Sequence, residues 1–242
     1  VILDEWPRRV AALAQFHVAD LRAPALSDAD DHHLRRALRA RGGEEVVVTD
    51  GRGAWRICAV APAGLDALSV VVTDPEPPAT ALYLCPVKGD RAEWTIAKVT
   101  ELGVARVVPL LARRAAVRFT GDARAKTLAR WRRVAAEACG QSRRTHDLVI
   151  DEPLAVGDVP VGVGVADAGG SPDWSGVTAV AVGPEGGWAP EEWGAERRRL
   201  SLGPTVLRAE TAAVVAGALV ALSAGRWGFS LGSLVGKDEG TP

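Results

Sequence analysis

The sequence predicts two domains, a small N-terminal β-barrel followed by a larger α/β domain with a largely parallel sheet. Three observations predict it. Apolar, β-branched runs crowd the first part of the chain with little helix between them, whereas runs of strand and helix character alternate in the second. Between the two parts stand Asp74, Pro75, Glu76, Pro77 and Pro78, a stiff and extended segment of the kind that joins domains. With 242 residues, 48% hydrophobic and 24% charged, the chain can bury a core in each part.

The elements follow in order. Residues 27–39 predict a short helix, with Ser27 as its cap and acids in its first turn to complement the dipole. Residues 45–49 (EVVVT) run into the turn Asp50-Gly51-Arg52-Gly53 and then into 54–60 (AWRICAV), a hairpin pattern, and residues 68–73 (LSVVVT) supply another strand. After the prolines come a strand at 81–85, a helix at 91–102 stopped by Gly103, a strand at 105–110 and a long basic helix at 122–139. Residues 161–166 and 177–182 read as buried strands. Residues 190–200 read as a helix with Pro190 at its first turn and Glu191 and Glu192 near its positive end. The last helix, about 210–224 and ended by Gly225, is apolar nearly all round, so it is expected to be covered on more than one side, by core or by a second subunit.

Several functions are disfavoured. The longest apolar run, residues 212–222, is well short of the ~18–20 residues of a membrane span. No segment near the start reads as a signal peptide. Cys58, Cys85 and Cys139 are odd in number and far apart, neither a disulfide framework nor a zinc cluster, so the expected location is the reducing cytoplasm. His32 and His33 lack further ligands at metal spacing. The run 162–167 (GVGVAD) opens like a dinucleotide fingerprint but has Asp where the third glycine is needed.

Charge is balanced overall at −1 but not locally: ten Lys and Arg between Arg113 and Arg144, against Asp122 and Glu137, leave about +8 there. A second cluster, Arg35, Arg36, Arg39 and Arg41, lies near the N-terminus. Two such clusters in a near-neutral chain point toward a polyanionic partner.

Parallel α/β sheets bind ligands at the carboxyl ends of their strands, which directs attention to two loops. Val182-Gly183-Pro184-Glu185-Gly186-Gly187-Trp188 follows a buried strand, and its three glycines let backbone groups touch a ligand directly. A second turn, Leu202-Gly203-Pro204, leads to Leu207-Arg208-Ala209-Glu210-Thr211-Ala212, where an Arg and a Glu stand at the entrance of an apolar helix. A small-molecule site between these loops is expected from the residues alone.

The strings GPEGGWAPEE (183–192) and LGPTVLRAETAA (202–213) resemble the signature of the RsmE family of ribosomal RNA methyltransferases, in the SPOUT superfamily. Further blocks match in order: Lys88 to Arg91 with Glu93, Ile96, Lys98 and Thr100-Glu101-Leu102-Gly103-Val104; Trp131, Glu137-Ala138, Gln141-Ser142 and Arg143 or Arg144; and His33, Arg36, Leu38-Arg39 with the Asp50-Gly51 turn. The resemblance covers about residues 16–225. It implies a PUA-like RNA-binding barrel over residues 10–74, a SPOUT methyltransferase domain over 80–230 with a C-terminal trefoil knot, and a homodimer. It also implies S-adenosylmethionine as cofactor and N3 of one uridine in 16S rRNA of the small ribosomal subunit as methyl acceptor, with no metal and no membrane.

Carried onto this chain, the resemblance implies that Val182, Gly183, Pro184, Glu185, Gly186, Gly187, Leu202, Gly203, Leu207, Arg208, Thr211 and Ala212 hold the cofactor. Arg208 and Glu210 would stand at the reacting centre, Glu210 as base or Arg208 as stabiliser of the uracil anion. Arg36, Arg39, Arg113, Arg114, Arg118 and Arg143 would contact RNA phosphates. Lys98 and Glu101 read as an exposed charge pair. Trp188 departs from the family pattern, as does Thr145-His146-Asp147, which lacks a proline common there.

Overall fold

The computed structural model describes residues 2–117, 119, 121–225 and 227, with side chains from residue 6 onward. Its contacts divide the chain into two compact units, Val1–Glu76 with Ala136–Asp147, and Pro77–Ala135 with Leu148–Pro242.

The first unit contains helix α1 (Ile2–Ala11), strand β1 (Gln15–His17), helix α2 (Asp28–His32), and strands β2 (Glu45–Thr49), β3 (Ala54–Val60), β4 (Leu65–Ala67) and β5 (Val72–Thr73). Ser27 caps α2 by accepting from the Asp30 amide at 3.1 Å, and a π-helical turn, His33–Ala37, continues it. The sheet is mixed: β1 lies parallel to β2, β3 antiparallel to β2, and β4 and β5 share the far edge of β3. Val46, Val48, Cys58 and Val60 pack with Phe16 and Leu34 on one face, while Val47, Trp55 and Ile57 pack with Ala12 and Val72 on the other. Burial on both faces explains why β2 reads as unbroken valine rather than an alternation.

The strand expected at 68–73 is interrupted, and only Val72–Thr73 pairs with β3. Leu68 and Ser69 both direct their amides at the Ile57 carbonyl, the Ser69 hydroxyl accepts from the Ile57 amide, and Arg56 donates to the Ser69 carbonyl. The regular ladder is locally replaced by this mixture of backbone and side-chain bonds.

The second unit carries β6 (Ala81–Leu84), α3 (Asp90–Glu101), β7 (Arg106–Leu111), α4 (Gly121–Ser142, its last turns counted with the first unit), β8 (Val149–Ile150), β9 (Leu154–Ala155), β10 (Gly164–Ser171), β11 (Ala179–Val182), β12 (Arg199–Leu200) and α5 (Ala209–Ser223). The strands lie in the order β12-β10-β11-β6-β7-β8, with β9 also on β7, all parallel. The chain leaves β6 in one direction and returns on its other side at β11, the reversal of order at which open parallel sheets form a crevice. Leu82, Leu84, Val180 and Val182 face one core with Ile96, Val99 and the α5 residues Ala213, Ala216 and Val220. Cys85, Leu110, Val165 and Ala181 face the other with Trp193. Gly217 lets α5 approach closely, since a Cβ there would meet Leu82, Val99 and Val104 at 3.3–3.4 Å.

The helix expected at 190–200 is a correction: these residues form turns and the short strand β12. Its polar groups are engaged elsewhere. The Glu192 carboxylate accepts from the Ala189 and Arg113 amides, each at 2.7 Å, and Arg197 donates to the Val159 and Pro160 carbonyls. Trp193 is buried edge-on against Trp188, and Gly194 follows it. Among the described residues no helix is long and apolar enough to cross a membrane.

Candidate active site

The three strands β10, β11 and β12 end or bend at one place, and the loops beyond them enclose a cavity of about 230 Å³. The loop after β11 supplies Val182, Gly183, Pro184, Glu185, Gly187 and Trp188, and the segment after β12 supplies Leu202, Gly203, Thr205, Val206 and Leu207. Strand β10 adds Ala166, Asp167 and Ala168, and the first turns of α5 add Ala209 and Ala212. Glycine is required at two of these positions for different reasons. The Trp188 ring lies where a Cβ on Gly183 would stand, 2.9 Å away, and Gly203 has φ +123°, a conformation closed to other residues. A second cavity of about 340 Å³ shares Ala166, Asp167, Ala168, Gly187 and Trp188 with the first and extends to Trp193 and Arg199.

Charge at the cavity is organised by Arg91 in the first turn of α3. Its guanidinium donates to Glu185 Oε1 at 2.8 Å and to Glu210 Oε1 at 3.4 Å, so it bridges the glycine loop and the start of α5. Glu210 is buried, yet its carboxyl is held below the usual range, first by its own backbone N–H and then, against the effect of burial, by the charges of Arg91 and Arg208. Arg208 is the exposed N-cap residue of α5.

Of the residues expected to hold a cofactor, Val182, Gly183, Pro184, Glu185, Gly187, Leu202, Gly203, Leu207 and Ala212 line the cavity, whereas Gly186, Arg208 and Thr211 do not. Gly186 instead meets Arg114, which donates to the Gly186 and Trp188 carbonyls at 3.3 and 3.2 Å and so braces the loop from outside. Sequence reasoning missed Asp167 and the bridging Arg91, while Trp188, Thr205 and Val206, which also line the cavity, lie in the two loops it singled out without having been named as cofactor contacts. The position of Asp167 just past a buried apolar strand was a usable signal, set aside because the run failed as a dinucleotide motif. Nothing local marks Arg91, because its partners lie 94 and 119 residues away.

The arginines expected at RNA fall into three groups. Arg36 and Arg39 are exposed, and Arg36 lines a cavity of about 750 Å³ in the first unit together with His32 and Arg35. Arg113 is ion-paired with Glu191, and Arg143 is half-buried, donating to the Ala12 carbonyl at 2.6 Å and the Gly140 carbonyl at 2.8 Å. Arg118 lies outside the described residues. The basic stretch is widely neutralised in the fold: Arg124 and Arg132 meet Glu152, and Arg130 meets Glu93. Lys98 and Glu101 pair on the surface at 2.6 Å.

Comparison with known proteins agrees with this geometry. Residues 74–161 and 167–221 match the family described as RNA methyltransferase domain, and residues 26–73 match the RNA methyltransferase PUA domain. A ribosomal RNA small subunit methyltransferase E from Mycobacterium tuberculosis is 34% identical over 241 residues, covering 87% of this chain and 91% of its own. Its counterpart from Synechocystis is 31% identical over 216 residues, covering 79% and 70%. Among solved structures, a ribosomal RNA small subunit methyltransferase E from Neisseria gonorrhoeae bound to S-adenosyl methionine matches with a TM-score of 0.73 at 26% identity, over 86% of this chain and 96% of that one. A putative methyltransferase from Legionella pneumophila in complex with SAM has the same TM-score, 0.73, at 24% identity, covering 86% of this chain and 96% of its own, and shares the fold.

Proposed function

Because this chain belongs to the ribosomal RNA small subunit methyltransferase E family, an RNA methyltransferase domain with a PUA domain before it, we propose that it methylates N3 of one uridine in 16S rRNA with S-adenosylmethionine as donor. The observation that carries the reading is the cavity beyond the ends of β11 and β12 and beside the middle of β10, lined by glycine backbone and by Ala209, the residue between Arg208 and Glu210. Its residues fit an adenosyl group. Val182, Leu202, Leu207 and Ala212 offer apolar walls to a flat base, and the lack of side chains at Gly183, Gly187 and Gly203 lets its edge approach the backbone closely. When bound, the cofactor supplies an electrophilic methyl group on a sulfonium.

The chain's own residues do the rest. The loops at residues 182–187 and 202–211 would hold the cofactor, and keeping it beside the acceptor nitrogen is a proximity effect that reaches ~7–11 kcal/mol in the best cases. The uridine N3 proton has to leave. In this reading Glu210, ionised and held by Arg91, is one candidate to receive it, and Arg208 supplies positive charge for the uracil anion. Arg36 and Arg39 of the N-terminal unit, residues 10–74, contact phosphates, and the target is recognised by RNA shape with the base turned out. Arg113 and Arg114 reach RNA near the glycine loop, which Arg114 also braces. Arg118 completes that set, and Arg143 serves the fold through its two carbonyl contacts. Residues 80–230 form the SPOUT methyltransferase domain, with the segment around the two glycine loops knotted and α5 meeting a second copy in a cytoplasmic homodimer.

The test is transfer of labelled methyl from S-adenosylmethionine to small ribosomal subunits lacking the modification, with the product mapped by primer extension. A single stop at one uridine is expected. Methylation of a ribose oxygen instead would overturn the N3 assignment, and no transfer to subunits or free rRNA would overturn the substrate.

A further inference from the structure

The glycine loop has two faces. One lines the candidate cofactor cavity through Gly183, Pro184, Glu185, Gly187 and Trp188. Gly186 does not line it and lies instead against Arg114, whose Cβ is 3.5 Å from the place a Gly186 Cβ would take. The Arg114 guanidinium donates to the Gly186 and Trp188 carbonyls at 3.3 and 3.2 Å, both times from Nη1. Nη2 and Nε, the edge with which a guanidinium grips a phosphate in a fork, have no partner among the described residues. Arg114 is exposed, and its charge is unopposed. Arg113 is met by Glu191, Arg124 and Arg132 by Glu152, and Arg130 by Glu93, whereas Arg114 meets no carboxylate among the described residues. We infer that Arg114 is a positioning residue that ties the grip on the cofactor to the binding of RNA. One edge of its guanidinium holds the glycine loop while the other takes an RNA phosphate, so each ligand tightens the binding of the other.

Several facts support it. The clasp is loose as it stands, because both bonds lie at the long end of the range for N–H···O. A long, exposed side chain gives up rotamer freedom when it is fixed, and a ligand that fixes it at one edge eases the contact at the other. The same segment holds the far end of the loop separately. The Arg113 amide donates to Glu192 Oε1 and the Ala189 amide to Glu192 Oε2, each at 2.7 Å. Residues 189–192 are therefore anchored by Glu192, and residues 186–188 are the part that Arg114 sets. The two states are the loop with its carbonyls clasped by Arg114 and the loop without that clasp. RNA favours the first through the guanidinium, and the cofactor favours it through the cavity face of the loop, so linkage makes the effect reciprocal. A lysine at this position carries the charge but has no second edge.

The inference rests on the proposed binding of cofactor and RNA, and the experiment separates the three. S-adenosylhomocysteine, which has no methyl group to transfer, is titrated into the full chain alone and with saturating unmodified 16S rRNA, at constant ionic strength. The wild type is expected to bind it about fivefold or more tightly when RNA is present. Arg114→Lys should keep its RNA affinity within about threefold and lose that gain. Arg114→Met should lose the gain and also lower the salt slope of RNA binding by about one. Arg113→Met removes a neighbouring charge but leaves the backbone contact to Glu192, so it should retain the gain. Thermal melting checks folding, and if one Arg114 variant fails to melt cooperatively the other carries the test. Inorganic phosphate in place of RNA should not reproduce the gain, and if it does, free phosphate replaces RNA as the ligand and that assignment is overturned. A wild type that binds RNA and S-adenosylhomocysteine independently overturns the inference alone. So does a gain that survives Arg114→Lys, or an Arg114→Met that weakens S-adenosylhomocysteine equally with and without RNA, the mark of a passive brace. A wild type that binds no RNA overturns the RNA reading, and one that binds no S-adenosylhomocysteine overturns the cofactor reading.

Discussion

In the N-terminal unit, Asp74 lies beneath three donors, Arg9 at 2.6 Å, Thr145 at 2.7 Å and Trp55 at 2.9 Å, and His17 holds Asp147 at 2.7 Å. The α/β unit builds its candidate site differently, from glycine turns, small apolar residues and a few charges at the rim. The first arrangement draws segments far apart in sequence together by side-chain hydrogen bonds, since Thr145 and Asp147 belong to the stretch Ala136–Asp147 that returns to this unit. The second shapes a cavity by leaving side chains out. The two regions should therefore fail in different ways, one through charge and stability, the other through fit and catalysis.

The largest expected effect is catalytic. Arg208→Ala should lower methyl transfer by about 10²–10³-fold, as removal of one preorganised stabiliser does, while cofactor affinity stays within about threefold. A parallel loss of affinity in the titration would place Arg208 in cofactor binding instead. Next comes stability. Asp74→Ala leaves the Arg9 guanidinium buried without its partner and should destabilise the N-terminal unit by about 2–4 kcal/mol in denaturant unfolding. A change under about 0.5 kcal/mol would mean that the network is ornamental.

Smaller effects sharpen the contrast. Gly183→Ala places a methyl group against the Trp188 ring, which must shift, and because Trp188 lines the cavity, cofactor affinity should fall by about tenfold with little loss of stability. Unchanged affinity would show that the indole moves away from the ligand. The smallest effect is a pH dependence of the first unit. The hydrogen bond to Asp147, against the effect of burial, raises the His17 pKa above its ordinary value of 6.5. The stabilisation is thus complete below about pH 6.5 and is lost as pH rises through the raised value. Both side chains are a third or more exposed, so after screening the effect is about 0.5 kcal/mol. His17→Gln should abolish this slope in melts between pH 6 and 8. Asp74 has the opposite sign. Burial acts to raise its pKa, yet its donors hold it below the ordinary value, so its contribution is present above about pH 4 and is lost as pH falls through the lowered value.

Most of the elements were legible because they obey local rules. Ser27 caps its helix, Gly103 ends another, and the valine runs of β2 and β11 are strands in the structure as in the sequence. The glycine loops were legible because glycine at a strand end has few other uses. The expected helix at 190–200 misled because Pro190, Glu191 and Glu192 satisfy the local rule for a helix start, while Glu192 gains more by binding the Arg113 and Ala189 amides. The basic stretch misled in part for a related reason. Counting charges finds an excess near +8, but Glu93, Glu152 and Glu191, which lie outside that stretch, approach its arginines in the fold.

By itself, the sequence determined the α/β class, the family and the two loops that form the cavity, since strand periodicity, glycine placement and motif order are properties of neighbouring residues. Only the tertiary structure decided that Arg91 bridges Glu185 and Glu210, that Asp167 meets Arg199, and that Arg143 turns inward to carbonyls. Those pairings join residues 32 to 131 positions apart. A charged side chain can reach many partners at such separations, and which one it meets is settled by how the backbone packs around it.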